Sequence, residues 1–173
     1  MNALFFGSIL IGALLAQDQN FLFYVLRMNE SIFPSELSDP LFMVVYIFLS
    51  NIVVSAFLLV TLTGLLFFAF PMIILVDRAI FWGALLNLLS TPLFFAAFLT
   101  IILEGMGYVL ASIAGINLGL SWLKPDWAYR AEQISRIRAL KKAIRECIYI
   151  YVLVTMLLLA AAIVETATIA YLG

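Results

Sequence analysis

Apolar positions fall into long blocks separated by short polar stretches. Crossing a bilayer core takes about 20 apolar residues at about 1.5 Å of rise each. The first block, residues 3–17, is short. No basic flank precedes it, and Ala13-Leu14-Leu15-Ala16 is a poor cleavage pattern, so it reads as a span and not as a cleaved leader. Residues 18–40 form a loop with Asp18, Glu30, Glu36 and Asp39 against a single Arg27. Its stretch 21–28 is apolar enough to lie along a membrane surface as a short helix. Pro34 and Pro40 interrupt helices, and Pro40 marks the start of the next span. From Leu41 to Val76 the chain is apolar almost without pause. As one helix this would run about 54 Å, too long for one crossing. Gly64 and Pro71 are the natural breaks, which sets spans at 41–69 and 71–90. Ser90-Thr91-Pro92 marks a further turn, and spans follow at 93–120 and 144–171. The pattern predicts an all-α polytopic membrane bundle of about five transmembrane helices, a single integral membrane domain over residues 1–173.

Between the last two spans lies segment 121–143. Ile134, Ile137, Leu140, Ile144 and Ile148 recur there at helical spacing, which predicts a basic amphipathic helix at the membrane interface. Arg136, Arg138, Lys141, Lys142 and Arg145 would face lipid headgroups, at ~1 kcal/mol per cation near an anionic surface. Trp127 and Tyr129 suit the headgroup layer. A docking surface for a cytoplasmic ATPase is the alternative. Seven of the nine Lys and Arg (Lys124, Arg130, Arg136, Arg138, Lys141, Lys142, Arg145) lie between Lys124 and Arg145, and cytoplasmic loops carry such an excess. Segment 121–143 is therefore expected in the cytoplasm. Counting back through five spans puts the N-terminus inside and the 18–40 loop outside, unless the second and third spans form a re-entrant hairpin. Arg78 then falls toward the cytoplasmic end of the third span, from which it would snorkel.

Composition sharpens this reading. Of the 173 residues, 66% are hydrophobic and 11% charged. A soluble domain has about half and about a quarter respectively, so the apolar excess must face lipid. There is one cysteine, Cys147, and no histidine. An internal disulfide, a multi-cysteine metal site, a Ser–His–Asp or Cys–His device and HExxH zinc chemistry are all excluded. No glycine-rich phosphate loop is present. No catalytic residue, metal, cofactor or nucleic-acid partner is expected.

The polar residues inside the spans are the informative ones. Gly107, Ala111, Gly115 and Gly119 stand four apart on one face of the fourth span. Such a ladder lets another helix approach to backbone contact, in the same chain or in a second copy, and plain packing explains it best. Glu104 lies on that face, and Glu165 sits among Ala161, Ala162 and Thr168 in the fifth span. A carboxylate facing lipid costs several kcal/mol, so both should face the bundle interior or a wet cavity. They suit a proton or cation site or an acid/base pair; equally, they suit hydrogen-bonded carboxylates that fix helix packing. Asn51, Ser55, Asp77, Arg78, Asn87 and Asn117 add further polar groups. Ala79, Gly83 and Asn87 form a second small/polar face, and Asp77 and Arg78 must point in different directions. Arg78 can seek Glu104 or Glu165 as its partner.

The run Glu104-Gly-Met-Gly-Tyr-Val-Leu-Ala-Ser-Ile-Ala-Gly-Ile-Asn-Leu-Gly119 resembles the signature of the stage II sporulation protein M family, a glutamate opening a small-residue helix. Leu157-Leu-Leu-Ala-Ala-Ala-Ile-Val-Glu165-Thr is similar to the family's closing span, and Asn51 and Gly64 to an asparagine and glycine of its second. Asp77-Arg78 stands where the family usually has Asn-Gly. The resemblance, over about residues 41–171, implies a five-span membrane protein. The founding member acts as a membrane scaffold with peptidoglycan-cleaving partners during engulfment, and some members resemble permease components. The expected function is a non-enzymatic scaffold or complex subunit. The alternatives are a permease-like component whose Glu104 and Glu165 line a path, and an intramembrane hydrolase. Expected partners are membrane lipids together with a second copy of the chain or other membrane proteins.

Overall fold

A computed structural model describes residues 1–30, 39–89, 91–129 and 135–172. Among these residues all regular structure is helical. Helix α1 spans Asn2–Leu15 and α2 spans Gln19–Glu30. Helix α3 (Pro40–Leu49) continues into a π-helical segment, Ser50–Leu62, and a last turn, α4 (Thr63–Leu66). Then come α5 (Phe70–Leu86), α6 (Thr91–Leu123), the single turn α7 (Pro125–Ala128) and α8 (Arg136–Leu172).

Among the described residues, three helices are long and apolar enough to cross a membrane: Pro40–Leu66, Leu93–Leu123 and Arg136–Ala170. The count rises to four if α1 and α2, bent by 114° between Asn2–Leu15 and Gln19–Arg27, form one broken span. The expected spans at 3–17 and 71–90 correspond to helices of 14 and 17 residues. These reach only about 21 and about 25 Å at about 1.5 Å per residue.

Local chemistry explains the element ends. Asp39 caps α3, its Oδ1 accepting from the Leu41 amide at 3.0 Å, and Pro40 occupies the first helical turn where no amide is needed. The predicted break in the 41–76 run is real but falls at 67–69. Phe67 is extended, and Pro71 sits in the opening turn of α5. Gly64 lies in the turn before the break, so it does not make the break. The expected interfacial helix is not a separate element. Arg136–Leu172 is one helix of 37 residues, about 55 Å long, so the basic residues ride on the first turns of a spanning helix. On those turns Ala139 and Ala143 are buried, while Ile137, Ile144 and Ile148 face outward. Ile134 lies outside the described residues.

The π-helical segment has its own burial rhythm. Ser55, Ala56, Val60 and Thr61 are buried, whereas Val53, Val54, Phe57, Leu58, Leu59 and Leu62 are exposed. Positions five apart share a side, as i→i+5 hydrogen bonding requires. In an α-helix the same positions would turn away from each other.

Helix directions follow from the contacts. Helices α6 and α8 pack antiparallel, with Asn117 bonded to Glu146 and Gly107 against Leu158. Helix α5 is antiparallel to α6, with Pro71 at Ser112 and Arg78 at Glu104. The 40–66 helix is parallel to α6, Thr61 meeting Ala111 and Gly64 meeting Gly115. Phe5 of α1 packs on Gly105, and Met1 lies beside Asn117, so α1 starts at the end where α6 finishes. Phe5, Leu75, Tyr108, Val154 and Leu158 form the centre of the core.

Glycines set the closest approaches. A Cβ on Gly12 would overlap the Ile80 carbonyl, and one on Gly83 the Ile9 carbonyl, so α1 and α5 cross backbone to backbone. The ladder of α6 meets other parts of the same chain. Gly107 faces Leu158 of α8, whereas Gly115 and Gly119 face the segment from Thr61 to Pro71.

Candidate functional site

At mid-height of α6, Glu104 and Tyr108 stand one turn apart and both are buried. Tyr108 Oη donates to Glu104 Oε1 at 2.7 Å. From α5, Arg78 brings Nη1 to 3.5 Å from the same carboxylate oxygen. Its Nη2 donates to Ser55 Oγ of the π-helical segment at 2.7 Å. The guanidinium also lies 4.5 Å from the centre of the Tyr108 ring and 5.9 Å from that of Trp82. Trp82 stacks on Tyr108 at 5.7 Å, and Phe5 of α1 meets Trp82 edge-on at 6.0 Å. One charge pair therefore ties three helices together under an aromatic cover that a fourth helix completes. Arg78 keeps 29% of its side-chain exposure and Glu104 only 10%, so the carboxylate is the deeper partner. A planar guanidinium suits this place because it can serve a carboxylate, a hydroxyl and two ring faces at once.

Of the two carboxylates open to Arg78, the structure pairs it with Glu104. Arg78 turns inward and does not snorkel to a membrane face. Glu165, on the antiparallel α8, makes no hydrogen bond or ion pair among the described residues. Beside it, the Thr166 hydroxyl is buried without a partner among the described residues. Asp77 is exposed and unpaired among the described residues, as the divergence of adjacent helical positions demands. Asn51 is half-buried and unbonded among the same residues. Asn87 Nδ2 donates to the Ala13 carbonyl at 2.5 Å and pins the end of α5 to α1.

Asn117 belongs to a second polar cluster, near the basic end. Its Nδ2 donates to Glu146 Oε2 at 2.7 Å, and Tyr129 Oη donates to the same oxygen at 2.8 Å. Lys142 Nζ lies 4.4 Å from the Tyr129 ring centre, so this lysine faces an aromatic ring. Burial, and then the bond to Glu146, push the Tyr129 phenol above its ordinary range, which keeps it a donor. Arg136, Arg138, Lys141 and Arg145 are exposed on α8.

Sequence reasoning missed Tyr108 and Trp82 as partners of the charge pair. Tyr108 had a signal, since an aromatic hydroxyl four residues after a membrane glutamate lies on the same helix face. It also missed Thr61, whose Oγ1 donates to the Ala111 carbonyl at 3.0 Å and lies 2.7 Å from Tyr151 Oη. Glu146 and its bond to Tyr129 escaped it because the two are neighbours only after α8 folds back on α6.

In comparisons with known proteins, the family model described as Stage II sporulation protein M matches residues 1–168, essentially the whole chain. No curated protein and no solved structure matches it.

Proposed function

Since the chain belongs to the stage II sporulation protein M family, we propose that it is a non-enzymatic scaffold, a membrane-embedded subunit around which other proteins assemble. The observation that carries this reading is the engagement of Glu104 by Arg78 and Tyr108, with Arg78 also bonded to Ser55. The deepest charge in the bundle is used to lock helices together, and a locked interior suits a platform better than a moving path. The topology we propose has five passes. Helix 40–66 and α6 run toward the basic end; α1, α5 and α8 run away from it, so directions alternate along the chain. Helices α1 and α5 are the short passes. The basic end faces the cytoplasm, by the excess of Lys and Arg.

A photo-crosslinker at lipid-facing Leu153 or Leu58, in native membranes, is expected to trap one defined protein in high yield. Crosslinks to lipid alone from both positions would count against a scaffold. A second reading rests on Glu165 and Thr166, neighbouring polar residues of α8 without partners among the described residues. Such a pair suits a cation or proton path. Reconstituted in liposomes with an internal pH dye, wild-type protein is expected to leak no faster than empty vesicles. A flux that Glu165→Gln abolishes would replace the scaffold with a permease component.

A further inference from the structure

We propose that the turn between α6 and α8 holds one anionic phospholipid in a defined site. Two cavities meet there and share Trp127 as a wall. One, of about 450 Å³, is lined by Lys124, Asp126 and Arg136 beside Leu123 and Pro125. The other, of about 410 Å³, runs along α6 over Ile113, Ile116 and Leu120, with Met1 and Asn117 also on its wall. Among the described residues that line the first, Lys124 and Arg136 bring two positive charges and Asp126 one negative. A phosphodiester headgroup carries one negative charge. The second cavity is apolar for most of its length and leads back along a spanning helix, where an acyl chain would lie. The two halves thus follow the order of a phospholipid, charge outside and hydrocarbon within. Lys124 is held in place by its ammonium 4.0 Å from the Trp127 ring centre. Trp127 is itself half exposed, and amphipathic rings of this kind settle between headgroup and chain.

A free phosphate shares the headgroup's chemistry but has nothing for the apolar half. A general basic surface shares the charge but not the place. The test therefore uses the full chain purified in mild detergent, with bound lipid read by native mass spectrometry. Phosphatidylglycerol is expected to be retained as a single molecule per chain, phosphatidylcholine and phosphatidylethanolamine much less, and inorganic phosphate should not displace it. Replacing both Lys124 and Arg136 by alanine removes two cation contacts and is expected to weaken retention roughly tenfold or more. Leu120→Trp, which fills the apolar half, is expected to expel the lipid as well. The control pair Arg138→Ala and Lys141→Ala lies on the same basic turns outside both cavities and should retain it. Unchanged helicity by circular dichroism shows that each variant is folded. Equal retention of the three lipids, displacement by inorganic phosphate, or equal loss in the control pair would each overturn the site.

Discussion

At the scale of single residues, the charge pair between Arg78 and Glu104 is the feature whose removal should be felt most. Breaking a buried pair by deleting one partner costs about 3–5 kcal/mol, because the other charge stays behind without compensation. Arg78 retains some exposure, so Arg78→Ala should fall at the lower end of that range, about 3 kcal/mol. Replacing both residues by apolar ones of similar size, Arg78→Met with Glu104→Leu, should recover most of the loss. Unfolding midpoints in detergent distinguish the cases, and a double variant as unstable as the single one would show that the pair is not what holds these helices. Arg78→Lys should not rescue, since an ammonium cannot serve Glu104, Ser55 and the Tyr108 face together. Tyr129 carries a pH dependence of its own. Burial and Glu146 raise its phenol in the folded state. A raised folded-state value stabilises fully below the unfolded phenol's range, near 10.0, and the contribution is lost as pH climbs through the folded value. Stability should therefore drop in strong alkali, and Tyr129→Phe should flatten that drop. An identical alkaline profile for the variant would exclude Tyr129 as its source.

At the scale of helices, small residues decide where elements meet. A Cβ on Gly64 would stand 2.5 Å from backbone atoms of Gly115, and one on Gly119 would overlap the Gly64 carbonyl. Backbone on one side and backbone on the other leave nothing flexible to yield. Gly64→Ala and Gly119→Ala should each destabilise by about 1–3 kcal/mol, as overpacking does. Gly7 has open space around its Cβ position, so Gly7→Ala should cost nothing and serves as the control for helix propensity. If all three variants melt alike, the close approach of the 40–66 helix to α6 is not as described. The π-helical segment is the element that pattern reading was least able to anticipate. Its buried positions come as Ser55-Ala56 and then Val60-Thr61, five apart. An α-helical template scatters these around the cylinder and discards them as noise. The winding that aligns them brings Ser55 to Arg78 and Thr61 to Ala111, so it is selected by contacts with α5 and α6.

For the whole molecule, orientation is open to direct measurement. With Cys147→Ser as background, a membrane-impermeant maleimide on intact cells should label Gln19→Cys, at the α1–α2 elbow, and spare Ser135→Cys, just before α8. The opposite result would invert the bundle. The apolar blocks by themselves determined the fold class, because a chain this poor in charge can cover itself only with lipid. They also pointed to a break near Pro71, since proline acts locally, whereas Thr91 and Pro92, read as part of a turn, lie in the first turn of α6, after the bend at 87–89. The interior position of Glu104 was equally legible, because an ionised group cannot be left against hydrocarbon. Three things were settled only by tertiary structure. Arg78 chose Glu104 over Glu165 because the crossing of α5 over α6 places its guanidinium there. The glycine ladder found its partners within the chain because the 40–66 helix and α8 lie on either side of α6. The basic turns joined α8 because nothing stops a helix between Arg136 and the apolar run that follows. Each of these depends on which helices become neighbours, and periodicity along one helix carries no information about the identity of the next.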